Sequence, residues 1–185
     1  YREGRSKESA EAGCSYSPQS NPSRKETHMN VGVYVDLSDL YHRVNRRFGR
    51  KLDFATVLES LKFFGLITKS RAYGIQVGNE AGSFIACLER VGFETRFKRP
   101  EIIRCGDREV KRANWDLQIG LDALTDTETD NLGVVILGTG SARMSPLAER
   151  LRDKGLKCLA FGTNIEKELK KAVDGVVDID KELLE

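Results

Sequence analysis

VGVYVD, residues 31–36, is a continuous β-branched run that ends on a carboxylate. A strand buried on both faces reads this way, without the alternation of a half-exposed one. Working outward, LGVVILG (132–138) and LKCLAFG (156–162) are two more buried strands, SRAYGIQV (70–77) follows the first, and GVVDI (175–179) is a short last one. FETRFK (93–98) alternates and reads as a more exposed strand. Helical patterns fall between them at Leu37–Phe48, Phe54–Phe64, Glu80–Val91, Ala113–Leu124, Ser145–Lys154 and Asn164–Val173. Pro146 suits a first helical turn, and Asn164 suits a cap. EIIRCGDREVKR (101–112) carries a turn signal at Cys105-Gly106-Asp107, which predicts a small hairpin. Strands alternating with helices predict βαβ units, right-handed crossovers and one α/β domain, a parallel sheet with helices on both faces. In such a sheet the functional crevice lies beyond the carboxyl ends of the strands. Asp36 and the loop Gly138–Arg143 are expected to face it.

The rest of the chain bounds this reading. Residues 1–30 of the 185 are rich in Ser, Glu, Lys and Pro and lack an apolar period. They cannot bury enough surface to offset ordering entropy and read as a disordered tail, with the folded domain at 31–185. Met29 is a candidate internal start, with a tag or upstream sequence before it. No stretch has the length of a membrane span and the N-terminus lacks an apolar signal core, so a cytoplasmic protein is expected. The four cysteines are scattered without a CxxC pair, and only His28 and His42 are histidines. A zinc site is therefore not expected, and structural thiols are the plainer reading. The net charge of +2 is uninformative, but HRVNRRFGRK (42–51) holds five basic residues and no acid, and 90–112 holds eight against four. Such patches suit a phosphate backbone, and a solvated helix face is the plainer reading of each alone. The residues expected to touch nucleic acid are Arg43, Arg46, Arg47, Arg50, Lys51, Arg99, Arg104, Lys111, Arg112 and Arg143.

The carboxylates carry the chemistry. Asp36 can act in the crevice or simply cap the next helix. Asp116 and Asp122 lie six apart on one helix, about 240° around its axis, so they cannot share a face. Asp116 begins the helix and is expected at the mouth. Trp115 beside it reads as a packing anchor rather than a base-stacking platform. Gly138-Thr139-Gly140-Ser141 could cradle a phosphate at a helix start, but it lacks the third Gly of a dinucleotide fingerprint, and its glycines can also serve a tight turn. With no His beside Ser141, a hydrolase nucleophile is not expected there.

The whole pattern resembles the NYN domain, the LabA-like branch of the PIN-like nuclease superfamily. VYVDLSDLYHR is similar to its first motif, where an Asn commonly follows the strand-ending Asp after three residues. KRANWDLQIGLDAL is similar to the second, with a Lys and two Asp. VVILGTGSARMSPLAERLRDKGLKCLAFG is similar to the third, whose usual loop is Ser-Gly-Asp-x-Asp-Phe. LKKAVDGVVDI resembles the closing segment, and the likeness runs from about Val31 to Ile179. The resemblance implies a three-layer, Rossmann-like sheet and a ribonuclease using Mg²⁺ or Mn²⁺, hard cations held by clustered carboxylates. On these positions the candidate catalytic residues are Asp36, Asp39, Asp116 and Ser141, and the candidate metal ligands are Asp36, Asp116 and Asp122. This chain departs from the pattern in the third motif, where Ser141 and Arg143 replace two acids, and in the first, where Asp39 replaces the Asn. A cation about 4 Å from Arg143 would be repelled by a few kcal/mol at an intermediate effective dielectric. Arg143 can instead pair with Asp36 or Asp116, or grip a phosphate. Three readings stay open: an RNA-binding domain with a degenerate nuclease site, a working Mg²⁺- or Mn²⁺-dependent ribonuclease in which Asp39 replaces a lost ligand, and a non-enzymatic partner-binding domain, a homo-oligomer included.

Overall fold

The computed structural model of the protein describes residues 29–76, 82–105 and 108–185, with side chains outside 103–112. The 1–28 part of the tail and the Gly106-Asp107 turn lie outside the described residues. In chain order the elements are β1 (Asn30–Asp36), α1 (Leu37–Phe48), α2 (Phe54–Leu61), β2 (Leu66–Ile75), α3 (Gly82–Val91), β3 (Glu94–Lys98), β4 (Glu101–Cys105), β5 (Arg108–Arg112), α4 (Asp116–Thr129), β6 (Leu132–Gly138), α5 (Ser145–Asp153), β7 (Lys157–Gly162), α6 (Lys167–Ala172) and β8 (Gly175–Asp178). Six strands form a sheet in the order β3-β2-β1-β6-β7-β8, and each neighbouring pair is parallel. β4 and β5 form the separate antiparallel hairpin expected from the sequence.

The sheet separates two apolar layers because successive side chains of a strand point to opposite faces. Val31, Val33 and Val35 of β1 pack with Leu40, Val44, Val57, Leu61 and Leu88 of α1, α2 and α3. Tyr34 faces the other way and joins Ile119, Ala123, Ala148, Leu151 and Leu169 of α4, α5 and α6. The helix layers change side where the chain order reverses, between β1 and β6. Among the described residues, no helix is long and apolar enough to cross a membrane.

Several boundaries differ from the sequence reading for local reasons. β2 begins at Leu66, four residues before Ser70, because its first half pairs with β1 while staying partly exposed, so no buried run marks it. The pattern at 54–64 ends as helix at Leu61. A 3-10 turn follows, and Gly65 at φ 144° brings Met29 O within 2.2 Å of where a Cβ would stand. Helix α4 runs five residues past Leu124, through a polar TDTET segment. Thr125, Thr127 and Thr129 return hydroxyl hydrogen bonds to the carbonyls of residues four earlier, and Asp126 is buried. Asn164 does not cap α6. It sits at φ 50°, its carbonyl accepts from Arg43, and the helix starts at Lys167. Of the thiols read as structural, Cys158 is buried with its pKa pushed up to about 12 by burial, whereas Cys87 is exposed.

Candidate functional site

The crevice forms at the switch point, where β1 and β6 lie side by side and Val35 pairs with Gly138. Asp36 is 8% exposed at the end of β1. It is both helix cap and crevice residue. Its Oδ1 accepts the N–H groups of Ser38 at 3.0 Å and Asp39 at 3.1 Å. Burial pushes its pKa up, and the nearby carboxylates of Asp39 and Asp116 push the same way, against the two N–H bonds. Oδ2 accepts no hydrogen bond from the described residues. Asp116 opens α4, and Arg143 Nε lies 2.9 Å from its Oδ2. Arg143 itself is 64% exposed. Of the two partners open to Arg143 on sequence, the structure selects Asp116.

Asp39 holds the loop after β6. Its carboxylate receives Arg43 Nε at 2.8 and 2.9 Å, the Thr139 hydroxyl at 2.8 Å and the Gly140 N–H at 2.7 Å. Arg43 continues the lock with Nη1 to Asn164 O and Nη2 to Glu166 Oε1, both at 2.6 Å. Glu166, whose pKa this bond lowers, accepts the Ala142 N–H at 3.2 Å. Ser141 N–H goes to the Thr139 hydroxyl, and Arg143 N–H goes to Ser141 Oγ. The loop amides that could have cradled a phosphate are therefore bonded within the protein, two of them to carboxylates. Gly140 is required by a close approach rather than by a turn, since a Cβ there would lie 2.7 Å from Arg43 Nε.

Asp122 belongs to a different cluster. It accepts from the Tyr73 hydroxyl and from Gln118, both at 2.8 Å, and pairs with Arg71 at 3.3 Å and Arg96 at 3.2 Å. Arg71 also reaches Asp126 at 3.0 Å and Glu94 at 3.0 Å, and the Tyr34 hydroxyl donates to Asp126 at 2.9 Å. Burial, followed by the bonds to these carboxylates, raises the pKa of both tyrosines far above the usual phenol range. The sequence reading missed Arg71, Asp126 and Glu166. A signal for the first two was present: Asp122 and Asp126 interrupt the Ile119-Ala123 stripe one turn apart, and Arg71 interrupts a strand.

The basic segments divide by what the side chains do. Besides Arg43, Arg47 contacts Thr163 and Asp178, and Arg50 donates to the carbonyls of Leu184 and Glu185. Arg46, Lys51 and Arg99 are exposed. The side chains of Arg104, Lys111 and Arg112 lie outside the described residues. Trp115 is partly buried against the α4–α6 layer and donates to Gly74 O at 2.9 Å, with Lys98 Nζ 4.3 Å above its ring. It packs as an anchor.

The donor set does not fit the Mg²⁺ or Mn²⁺ that the resemblance implies. Such cations take several oxygen ligands at once. Asp39 and Asp122 are saturated by arginines and N–H or O–H donors, Asp116 is paired through Oδ2 with Arg143, and Asp36 keeps Oδ2 without a donor among the described residues. Among the described residues no three His, Cys, Asp or Glu side chains converge closely enough to hold a metal ion.

Comparison with curated proteins found no match. Among solved structures, a protein of unknown function from Vibrio parahaemolyticus RIMD 2210633 shares the fold, with a TM-score of 0.76 and 23% identity over 88% of this chain and 100% of that one. The NYN domain model matches residues 30–180. The parallel sheet, the Asp at its switch point and this match over most of the length place the chain in the NYN domain family of the PIN-like superfamily.

Proposed function

We propose that this chain is an RNA-binding NYN domain whose metal-dependent ribonuclease site is degenerate, with cleavage reduced or lost. The observation that carries this reading is the Arg143–Asp116 ion pair at 2.9 Å. A guanidinium stands where the family keeps an acid, and it pairs with one of the two carboxylates left at the mouth. Burial, and then the neighbouring carboxylates, raise the cost of ionising Asp36, while Arg143 gives its charge to Asp116 instead. A guanidinium that is largely exposed and carries five donors can also receive a phosphate oxygen. Arg46, Lys51 and Arg99 supply further exposed positive charge for a backbone.

The test is single-stranded RNA binding by fluorescence anisotropy, run beside a cleavage assay with Mn²⁺. Binding without cleavage is expected. Cleavage that disappears in Asp36→Asn would falsify the degenerate-site reading. One observation favours an active ribonuclease as the second reading: Asp36 Oδ2 has no donor among the described residues, and Arg143 is exposed enough to turn away from Asp116. Isothermal titration separates the two. The degenerate site is expected to show no Mn²⁺ binding at millimolar metal, and Arg143→Asp combined with Ser141→Asp is expected to create it.

A further inference from the structure

A cavity of about 680 Å³ opens on the α1–α3 side of the crevice. It is not part of the carboxylate cluster. Its floor is the end of β2 at Gly74 and Ile75, one and two residues beyond Tyr73, the partner of Asp36 in the sheet. Ser38 joins the two places: it lines the cavity, and its N–H donates to Asp36. The wall is aromatic, with Tyr41, Phe54, Phe84 and Phe97. Tyr41 and Phe84 are 53% and 42% exposed, Phe84 meeting Phe54 edge-on at 6.0 Å and Tyr41 meeting His42 at 5.5 Å, so each keeps a free ring surface toward the cavity mouth. The rim carries Lys51 and His42, with Arg50 held by the main chain of Leu184 and Glu185, and Glu185 is the acid among its described lining residues. The volume lies within the roughly 300–1,000 Å³ of small-molecule sites.

Resting on the RNA-binding reading, we propose that this cavity receives one unstacked nucleobase of a single-stranded RNA whose backbone passes the Asp36–Arg143 mouth. The chemistry selects that occupant. Every base has a π-face that an aromatic wall can stack, and the flanking phosphates need positive charge at the rim. An apolar protein side chain would match the wall but gain nothing from the Lys51 ammonium. A duplex presents no free base, so the site discriminates against paired RNA.

Two measurements on the full chain test it. In the first, RNA carrying a single 2-aminopurine is titrated with wild type, Tyr41→Ala and Phe84→Ala, whose partly exposed side chains leave the core intact. The 2-aminopurine emission is expected to be quenched by wild type. Each variant is expected to weaken binding about tenfold, the loss of one stacked base, with the salt slope unchanged. Duplex RNA of the same sequence is expected to bind more weakly than the single strand. If Arg46→Ala weakens RNA binding while Tyr41→Ala and Phe84→Ala do not, the RNA-binding reading stands and the base pocket is overturned. If wild type binds no RNA, both fall. In the second, aromatic NMR signals of Tyr41, His42 and Phe84 are followed while AMP, CMP, GMP and UMP are added. Shifts at these residues support the pocket. Their absence at millimolar nucleotide, with an apolar dye occupying the cavity instead, overturns it in favour of an apolar protein partner.

Discussion

At the residue scale, the carboxylates that look interchangeable in a motif have separate physical roles. Asp36 is held in a state that disfavours its charge. A carboxyl whose folded pKa is raised contributes stability below its unfolded pKa, and that stability is lost as the pH rises through the folded value. Replacing Asp36 by Asn keeps a good helix cap and removes the charge. Asp36→Asn is therefore expected to raise the melting temperature at neutral pH, and the gain should shrink as the pH is lowered through the acid range. A lower melting temperature would contradict the burial argument. Asp39 is instead bound up by donors on every side. Asp39→Ala leaves Arg43 without its main partner and orphans the Gly140 N–H, at a cost of about 2–3 kcal/mol in urea denaturation. Glu166, with its pKa lowered by Arg43, gives stability above its unfolded pKa that is lost as the pH falls through the folded one. Loop opening near Gly140, followed by amide exchange, is expected to rise on acidification.

At the element scale, α4 is fixed by charge as much as by apolar packing. Its Ile119 and Ala123 are buried in the layer beside Tyr34, while Asp122 and Asp126 bring two carboxylates onto the same sheet face. That is tolerable because Arg71, Tyr34, Tyr73 and Gln118 satisfy them. Removing the shared cation leaves buried charge without compensation. Arg71→Ala is expected to cost about 3–5 kcal/mol, read from the shift of the denaturation midpoint. Tyr34→Phe removes one hydrogen bond to Asp126 and is expected to cost about 1–2 kcal/mol. Combining Arg71→Ala with Asp126→Asn should cost less than the sum of the single changes, because the second removes the charge the first exposed. Additive costs would show that the network is not coupled. The same carboxylates, so held, leave α4 only Asp116 to offer at the mouth.

At the scale of the whole molecule, the sheet order β3-β2-β1-β6-β7-β8 puts the reversal point at Asp36. From there the surface divides. Toward β6 and β7 the Asp39–Arg43–Glu166 lock closes the loop, and toward β2 and β3 the aromatic cavity opens. An RNA strand held mainly by phosphate contacts should show affinity that falls with salt, and Arg46→Ala is expected to reduce the logarithmic salt slope by about one. Arg43→Ala is expected to act through stability instead, lowering the denaturation midpoint, because its guanidinium is already engaged within the fold. An affinity loss from Arg43→Ala with the midpoint unchanged would reverse that assignment.

The features legible before folding are those that short segments carry. Buried β-branched runs at 31–36 and 132–138 specify parallel strands, the 240° between Asp116 and Asp122 forbids a shared face, and Ser141 with Arg143 empties the loop of acids. These were legible because period, chirality and charge are local. Which distant charges meet depends on the folded arrangement. Arg43 spends its donors on Asp39, 4 residues away, and on Asn164 and Glu166, 121 and 123 residues away, while Arg143 finds Asp116 rather than Asp36. Only the four-residue spacing from Asp39 separates Arg43 from Arg46 locally, and its distant partners depend on which side chains the right-handed crossovers bring to one end of the sheet. For the same reason Asp36 could be placed at the crevice from sequence, while the engagement of Asp39, Asp116 and Asp122 became visible only when each was seen with its own donors.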